Sequence, residues 1–263
     1  MKPTHIINMN VVDVRIKGKF KSERRTQALY NEPVELLKTG SKYAKVRLYD
    51  DYEGHVSKLF ITEMKPPVGD EYVISSILTA AFSRPDTKSL FYTQLPFAAE
   101  INGEKVNDEF LQVKSPRYGD IFLKLSDLTP ADKTPRLNKE NIPLLLEIAN
   151  RFIGVPYLWG GRSYFGVDCS GFVHVLLKYF GAQISRKTKD QRNFGMKITK
   201  GDILPGDLLF FKVHVGIALN SHDYIHSSLT QGGVHINTLD QTKQGYLKYR
   251  DETLRAIRRH VYK

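Results

Sequence analysis

Cys169, the only cysteine of the 263-residue chain, is the residue best suited to covalent chemistry. Asp168 precedes it as a predicted N-cap, and the helix that follows is predicted over residues 169–180. A helix N-terminus favours a thiolate and lowers the thiol pKa to ~3.5–7.5 in such positions. The competing interpretation is a structural cysteine, because free cysteines usually pack as small apolar groups. The position at the helix start, flanked by Gly166 and Gly171, favours a nucleophile.

A thiol nucleophile needs a base and a group that orients this base. Among the eight histidines, strand geometry favours His214 and His226 as this pair. If residues 220–222 form a hairpin loop, position 214 lies opposite position 228. His226 is then the diagonal neighbour of His214 on the same face, ~7–8 Å away between Cα atoms. One imidazole can take the cysteine proton while the other holds its far nitrogen.

A metal site on His214, His222 and His226 is the competing chemical hypothesis. Asp223 is the only carboxylate near these three histidines, which makes the ligand set poor for zinc. We therefore expect no metal and no cofactor. A further alternative is that the two histidines have no shared role and merely lie on the same half-buried strand pair. The presence of Cys169 makes this alternative weaker.

The first half of the chain consists of short predicted strands separated by turn signals, a pattern typical of small β-barrels. Thr-Gln-Ala-Leu-Tyr at 26–30 recurs as Thr-Gln-Leu-Pro-Phe at 93–97, and other matches share this offset of 66–67 residues. Such a repeat predicts two copies of one barrel, over residues 1–66 and 67–136.

Residues 137–263 have a different pattern. Apolar residues at helical spacing predict a helix that begins near Asn141, and the Cys169 helix follows it. Beyond Pro205 the chain is predicted to be extended. Helices followed by antiparallel strands predict an α+β domain.

The charge and the apolar content exclude some classes of protein. The net charge is +11, and residues 137–263 carry 18 Lys and Arg against 10 Asp and Glu. Basic surfaces attract polyanions such as nucleic acid, anionic lipid or acidic envelope polymers, although a solvated basic face is an equal alternative. Few aromatic residues interrupt the basic stretches at 186–200 and 248–263, so we expect no nucleic-acid binding.

No apolar stretch approaches the ~18 residues of a membrane span, and we expect no transmembrane segment. The first ten residues lack the apolar core of a signal peptide. We expect a monomer that is cytoplasmic, or located in the cell envelope if a leader has been removed.

Three motifs resemble the NlpC-type cell-wall cysteine peptidases. They occur in order across residues ~138–260 and are Tyr157-Leu158-Trp159-Gly160-Gly161 with Asp168-Cys169-Ser170-Gly171, then Pro205-Gly206-Asp207-Leu208 before His214, then His226-Ser227-Ser228. With two bacterial SH3-like barrels ahead, the chain resembles the γ-D-glutamyl-L-diamino acid endopeptidases of the dipeptidyl-peptidase VI type. The resemblance implies an α+β, papain-like cysteine peptidase domain preceded by two small SH3-like β-barrels.

The resemblance also implies a papain-like mechanism. Cys169 attacks the carbonyl carbon, His214 acts as general base and then general acid, and His226 orients His214. Tyr157 donates its hydroxyl to the oxyanion beside the Cys169 backbone N–H, a type of contact worth ~10²–10³ in rate. Without the resemblance, Tyr157 and Trp159 would be assigned to an aromatic core cluster.

The resemblance also implies a set of substrate-binding residues, which would contact the free amine and the neighbouring groups of a peptide that begins with L-Ala. They are Glu23, Tyr52, Trp159, Asp168, Ser170, Arg186 and Thr188. Two carboxylates facing an ammonium would select free N-termini, although an ordinary surface charge at Glu23 is an equal alternative. Two positions depart from the family pattern. Lys187 stands in place of an acidic residue, and His55 stands in place of the usual barrel tryptophan.

The predicted function is hydrolysis of the γ-D-glutamyl-L-diamino acid bond (diaminopimelate or Lys) of murein peptides that carry a free N-terminal L-Ala. Murein peptides or peptidoglycan are therefore the expected partners. Two alternatives stay open, an N-acetylmuramoyl-L-alanine amidase on the same fold and a non-catalytic peptidoglycan-binding protein. Product analysis separates the two enzymes, because an amidase releases a bare sugar.

Overall fold

The computed structural model describes residues 1–261, which divide into two compact units. The first unit is Met1–Thr134, and the second unit begins at Pro135. The last two positions of the predicted basic stretch at 248–263, Tyr262 and Lys263, lie outside the described residues. Within residues 1–261, no helix has the length and apolar character needed to cross a membrane.

The first half of the first unit is a seven-stranded antiparallel sheet with the strand order β3-β2-β6-β5-β4-β1-β7. Its strands are β1 (His5–Ile7), β2 (Val11–Arg15), β3 (Arg24–Leu29), β4 (Pro33–Thr39), β5 (Tyr43–Arg47), β6 (Glu53–Ser57) and β7 (Ile61–Glu63). Burial alternates along β2 and β5, which is typical of a sheet with one covered face. The covered core consists of Ile7, Val12, Val14, Ala28, Val34, Ala44, Val46, Leu48 and Val56.

The second half of the first unit repeats this topology strand for strand, in the order β10-β9-β13-β12-β11-β8-β14. Its strands are β8 (Asp70–Ile74), β9 (Leu78–Phe82), β10 (Phe91–Pro96), β11 (Glu100–Lys105), β12 (Phe110–Ser115), β13 (Gly119–Lys124) and β14 (Leu128–Pro130). Strands β2, β3 and β4 begin at residues 11, 24 and 33, and their counterparts begin at residues 78, 91 and 100. The internal repeat in the sequence is therefore also a repeat of strand order.

The same turn occurs once in each half of the first unit, and the turn of the first half also contacts the second half. Asn31 and Ala98 occupy equivalent positions in the repeat and both adopt a left-handed backbone, with φ of 58° and 61°. Asparagine tolerates this conformation better than alanine. The Asn31 side chain donates a 3.0 Å hydrogen bond to the carbonyl of Glu100 in the second half. The turn that closes one sheet therefore also contacts the next sheet.

The second unit combines helices with a six-stranded antiparallel sheet of the order β17-β22-β18-β19-β20-β21. Its helices are α1 (Ile142–Asn150), α2 (Cys169–Tyr179), α3 (Thr188–Gln191) and α4 (Lys248–Glu252). A short hairpin is formed by β15 (Arg162–Ser163) and β16 (Gly166–Val167). The sheet strands are β17 (Met196–Ile198), β18 (Leu208–Phe210), β19 (Val215–Ala218), β20 (Asp223–Ser228), β21 (Gly233–Thr238) and β22 (Ala256–Arg259).

Local signals in the sequence locate both long helices correctly. Helix α1 begins after Asn141 with a proline in its first turn, where a missing N–H costs nothing. Helix α2 begins after Asp168, whose side chain accepts a hydrogen bond from the N–H of Gly171. It ends before Gly181, which has a left-handed φ of 70° that favours glycine.

The register of β19 and β20 determines which side chains share a face of the sheet. Ile217 pairs with Ile225 and Ala218 pairs with Tyr224, so the same register extended places position 214 opposite position 228. This is the register predicted from a hairpin loop at 220–222. Tyr224 in turn pairs with Asn237 of β21. Because alternate residues of a strand point to the same side, His226 lies on the face that Tyr224 and Asn237 share.

Helix α2 packs against β19 and β20 and also contacts α1 and the β15 strand. All of its residues except Lys178 are buried. A helix that is apolar on nearly every side belongs to the interior of a domain. The start of α2 is therefore fixed by packing as well as by its cap.

Candidate active site

Cys169 is the first residue of α2, and a glycine contact holds the helix start against a loop. A Cβ atom at Gly171 would lie 2.0 Å from the carbonyl oxygen of Gly161, a distance that no side chain can adopt. The Asp168 carboxylate accepts hydrogen bonds from the N–H of Gly171 at 2.7 Å and of Gly160 at 2.8 Å. Cap and loop together leave the Cys169 side chain 8% exposed.

The predicted low pKa of the Cys169 thiol is wrong. Burial raises this pKa to about 11, and the negative charge of Asp168 adds to the effect. The N–H groups of Val215 and Ser170 and the charge of Arg186 act in the opposite direction but are weaker. Desolvation of the charged form outweighs the helix N-terminus because the thiol is almost completely covered. The thiol is therefore protonated at neutral pH and needs a base to react.

His214 and His226 form a buried hydrogen-bonded pair. The Nε2 atom of His214 lies 2.5 Å from Nδ1 of His226, and the two rings are perpendicular. Burial holds the pKa of each imidazole well below its usual range, so both are neutral at neutral pH. Because Nε2 of His214 is engaged in the hydrogen bond with His226, Nδ1 is the nitrogen of His214 that can accept a proton. The Cys169 thiol interacts with the N–H of Val215, the residue directly after His214.

Asn237 continues the hydrogen-bonded chain beyond the histidines. Its Oδ1 atom lies 2.7 Å from Nε2 of His226, and its Nδ2 donates a 2.8 Å hydrogen bond to the carbonyl of Gly245. Asn237 was not among the residues predicted from the sequence. Extending the strand register from β20 to β21 would have found it, since Asn237 pairs with Tyr224, two residues before His226.

Tyr157 presents a half-buried hydroxyl near the thiol. Its N–H donates to the carbonyl of Gly232 at 2.8 Å, and the next N–H, of Leu158, donates to Val167 at 3.1 Å. Burial raises the pKa of the Tyr157 phenol above its ordinary value, and negative charge at Cys169 and Asp168 adds to this. The hydroxyl remains a hydrogen-bond donor at neutral pH. Within residues 1–261 it has no hydrogen-bond partner.

Asp168, Ser170 and Arg186, three of the predicted substrate-binding residues, are brought together next to Cys169. Arg186 donates to the Asp168 carboxylate at 2.8 Å and to the Ser170 hydroxyl at 2.7 Å. The hydroxyl in turn donates to Asp168 at 3.2 Å. All three side chains are buried. They support the start of the helix that carries Cys169, and their predicted contacts with substrate stay predictions.

The other predicted substrate-binding residues lie at the surface. Trp159 is 56% exposed, which rules out the alternative of a core aromatic at this position. Thr188 is the half-buried first residue of α3. In the first unit, the exposed Glu23 lies 3.4 Å from Arg25, and the half-buried Tyr52 packs on the core of the first sheet. Their roles also stay predictions.

A further residue near the histidines that the sequence analysis did not single out is Arg250. It is half-buried on α4, and its guanidinium lies 5.7 Å from the centroid of the Phe211 ring, which also packs against the His214 ring. After burial and the mutual effect of the histidines, its positive charge is a further cause of the low pKa of His214. No local sequence signal distinguishes Arg250 from the other basic residues at 248–259.

The arrangement does not form a metal centre. Within the described part of the chain, no three His, Cys, Asp or Glu side chains converge on a point that could hold a metal ion. The third histidine of the alternative ligand set, His222, is exposed in the loop before β20. What the residues can do is acyl transfer. A protonated thiol interacts with the backbone N–H of Val215, the residue after a neutral imidazole, and a phenol near the thiol can stabilise an oxyanion.

Comparison with known proteins identifies the class to which these features belong. Residues 154–253 match the model of the NlpC/P60 family. The chain therefore carries an NlpC/P60 domain, the domain of a family of cysteine peptidases. The resemblance that the motifs indicated is confirmed.

Two curated relatives and one solved structure show similarity beyond the family model. The chain is 29% identical to a γ-D-glutamyl-L-lysine dipeptidyl-peptidase of Bacillus subtilis over 83% of its own length and 77% of the relative. It is 36% identical to dipeptidyl-peptidase 6 of Lysinibacillus sphaericus over 45% of its length and 43% of the relative. A crystal structure of an NlpC/P60 family protein from Bacillus cereus covers 98% of the chain and is itself covered to 99%, with a TM-score of 0.85 and 19% identity. The overall fold is therefore that of an NlpC/P60 family protein.

Proposed function

We propose that the protein is a cysteine endopeptidase that hydrolyses the γ-D-glutamyl-L-diamino acid bond of murein peptides with a free N-terminal L-Ala. The similarity to the Bacillus subtilis dipeptidyl-peptidase carries this proposal. That alignment spans 239 residues, more than the second unit contains, so it includes a large part of the first unit as well. A relative that shares only the catalytic domain would support a less specific function.

The domain layout is part of the proposal. Two SH3-like barrels at residues 1–66 and 67–136 precede a papain-like peptidase domain at residues 137–263. The identical strand order of the two sheets in the first unit supports two copies of one barrel. The α2 helix packed on an antiparallel sheet, with the cysteine on the helix and the histidines on the sheet side, supports a papain-like arrangement.

The first chemical step is acylation of the thiol. Nδ1 of His214 takes the proton of Cys169 as the sulfur attacks the γ-carbonyl carbon of the D-Glu residue. The tetrahedral intermediate carries a negative oxygen, which the Cys169 backbone N–H and the Tyr157 hydroxyl stabilise. Because the thiol pKa is about 11, proton transfer accompanies attack rather than preceding it.

The second step releases the diamino acid and regenerates the enzyme. The protonated His214 gives its proton to the leaving α-amine, and the C–N bond breaks to leave a γ-glutamyl thioester on Cys169. A water molecule then loses a proton to His214 and attacks the thioester carbonyl. The thiolate leaves, recovers the proton from the imidazole, and the peptide departs with a free γ-carboxylate. His226 keeps the His214 ring oriented through both steps.

The test is product analysis on a defined peptide. The protein is incubated with L-Ala-γ-D-Glu-diaminopimelate and with the lysine analogue. The products are then separated and identified by mass spectrometry. We expect L-Ala-D-Glu and the free diamino acid from at least one peptide. The Cys169→Ala variant, with its folding checked by circular dichroism, is the control and should give neither. Absence of L-Ala-D-Glu from folded wild-type protein with both peptides would contradict the proposal.

Two further substrates test the finer parts of the proposal. N-acetylation of the terminal L-Ala should abolish cleavage if the free amine is recognised. Glu23→Gln should raise KM for the free-amine peptide, whereas Glu63→Gln, another exposed carboxylate of the first unit, should not. Intact muropeptides distinguish the amidase alternative, because only an amidase would release a sugar without its peptide.

A further inference from the structure

We infer that Asn237 is a positioning residue that fixes the tautomers of His226 and His214, so that a lone pair remains on Nδ1 of His214. The inference deepens the proposed function, since it rests on His214 acting as the base for Cys169. It goes beyond the two histidines, because neither ring can determine its own tautomer. A chain of hydrogen bonds connects Gly245 through Asn237 and His226 to His214.

Gly245 determines the orientation of the Asn237 amide. The carbonyl of Gly245 can only accept a hydrogen bond, and it lies 2.8 Å from Nδ2 of Asn237. A flipped amide would place two oxygen atoms in contact inside the protein. Gly245 has a left-handed φ of 91°, a conformation that favours glycine and gives its carbonyl this direction. Oδ1 of Asn237 is therefore the atom that faces His226.

The amide oxygen determines the tautomer of His226. Oδ1 of Asn237 is an acceptor 2.7 Å from Nε2 of His226, so Nε2 must carry a hydrogen. Burial lowers the pKa of His226 far enough that the ring is neutral at neutral pH. A neutral imidazole carries only one N–H. Nδ1 of His226 is therefore a bare acceptor.

The tautomer of His226 in turn determines that of His214. Nε2 of His214 lies 2.5 Å from the bare Nδ1 of His226, so Nε2 of His214 carries the hydrogen of this bond. His214 is also neutral, because burial and the neighbouring His226 lower its pKa. Its Nδ1 therefore has a lone pair, the state that a general base needs. The opposite tautomer would put a hydrogen on Nδ1 of His214 in place of this lone pair and remove the base.

Burial makes this choice of tautomer effective. Asn237 is 3% exposed and His226 is fully covered, so solvent has little access to either ring nitrogen of His226. The wrong tautomer of His226 would set its Nε2 lone pair against the amide oxygen. An unmade buried hydrogen bond of this kind disfavours the wrong tautomer by about tenfold or more.

The direct test is the nitrogen-15 spectrum of the histidine rings, in which a protonated and a bare nitrogen have different shifts. In the wild-type protein at neutral pH we expect both His214 and His226 as neutral rings protonated at Nε2. A His226 ring protonated at Nδ1 would overturn the inference. This measurement needs no substrate, so it decides the inference even if the peptide assay were to contradict the proposed function.

Three variants then connect the tautomers to activity. Asn237→Leu keeps the size of the side chain but removes the acceptor. Asn237→Asp restores an acceptor, and when its carboxyl is protonated on the oxygen beside Gly245 it keeps both hydrogen bonds. Tyr224→Phe is the matched control, because the Tyr224 ring contacts His226 while its buried hydroxyl has no hydrogen-bond partner among the described residues.

We expect Asn237→Leu to lose about 10²-fold in kcat with little change in KM, below the ~10⁴-fold that a wrong tautomer costs in a serine protease triad. Asn237→Asp should retain kcat within about tenfold, and Tyr224→Phe should retain both kcat and the ring spectrum. A folded Asn237→Leu variant with wild-type kcat and unchanged ring shifts would overturn the inference. If Asn237→Leu does not fold, the wild-type spectrum and Asn237→Asp still decide it.

Discussion

Asp168 and Arg186 form an ion pair of 2.8 Å in which the two side chains are only 10% and 4% exposed. The same carboxylate caps α2 through the N–H of Gly171, and the same guanidinium donates to the carbonyl of Gly161 at 3.2 Å. The pair therefore connects the helix that begins at Cys169 with the loop that precedes it. The position of Cys169 depends on a charge pair that solvent hardly reaches.

Removing the cation of this pair should destabilise the second unit strongly. Arg186→Met leaves the Asp168 carboxylate buried without a counter-charge, which costs about 3–5 kcal/mol in comparable cases. The control is Arg151→Met, which breaks the exposed pair of Arg151 with Glu147 and should cost at most about 1 kcal/mol. Urea unfolding of both variants measures the difference. Equal losses in the two variants would contradict a structural role for the buried pair.

Gly171→Ala tests the close contact between α2 and the preceding loop. The added Cβ would lie 2.0 Å from the carbonyl oxygen of Gly161, which is backbone and cannot rotate away. We expect a loss of about 1–3 kcal/mol or more, the usual range for an overpacked core, together with loss of peptidase activity. Gly201→Ala is the control, because nothing lies within 4 Å of a Cβ at that position. Thermal unfolding and activity are measured on both, and a Gly171→Ala variant as stable and active as Gly201→Ala would refute the contact.

The elements that could be predicted from the sequence are those set by local signals. Asp168 as a cap and Gly181 as a stop locate α2, because both act on the backbone of their own segment. The register of β19 and β20 follows from the length of their loop. With this register the diagonal contact of His214 and His226 was within reach of sequence analysis.

The features that could not be predicted depend on the tertiary structure. A helix N-terminus lowers the pKa of a thiol, but burial can outweigh this effect, and the sequence does not show how deeply Cys169 is buried. Arg250 lies near His214 but belongs to α4. Strand pairing predicts which residues of a sheet are neighbours, but it does not predict where a helix such as α4 packs. The exposure of Trp159 likewise depends on which elements leave the loop uncovered.

Alkylation of Cys169 should depend on pH with an unusually alkaline midpoint. The pKa of the buried thiol is about 11, against about 8.5 for a free thiol, and only the thiolate reacts. The rate with iodoacetamide should therefore be low at pH 7 and rise about tenfold per pH unit until near pH 11. Cys169→Ser provides the blank, because the chain has no other cysteine. A rate that levels off below pH 8 would mean that the thiol is a pre-formed thiolate.

Acid should destabilise the second unit through its buried histidines. The unfolded pKa of histidine is about 6.5, and burial lowers the folded pKa of His226 to about 4. Between these values the unfolded chain binds more protons, so stability is complete above pH ~6.5 and is lost as the pH falls towards 4. The shift corresponds to about 3 kcal/mol at most.

Urea unfolding at pH 7, 6, 5 and 4 measures this dependence. The His226→Gln variant is expected to be less stable at pH 7 but to lose less stability between pH 7 and 4. His222→Gln, which removes an exposed imidazole, should follow the wild-type curve. A His226→Gln curve parallel to that of the wild type would show that other groups cause the acid sensitivity.

Neutralising Arg250 should move the acid limb of the peptidase pH profile. Burial is the largest cause of the low pKa of His214, and the charges of His226 and Arg250 lower it further. Arg250→Gln removes one of these charges, so the pKa of the histidine pair rises and protonation inactivates the base at a higher pH. The plot of kcat/KM against pH should therefore lose activity at a higher pH in this variant than in the wild type. The matched control is Arg255→Gln, which removes the same charge from an exposed side chain five residues away. If both variants move the acid limb equally, the cause is the net charge of the domain and not the position of Arg250.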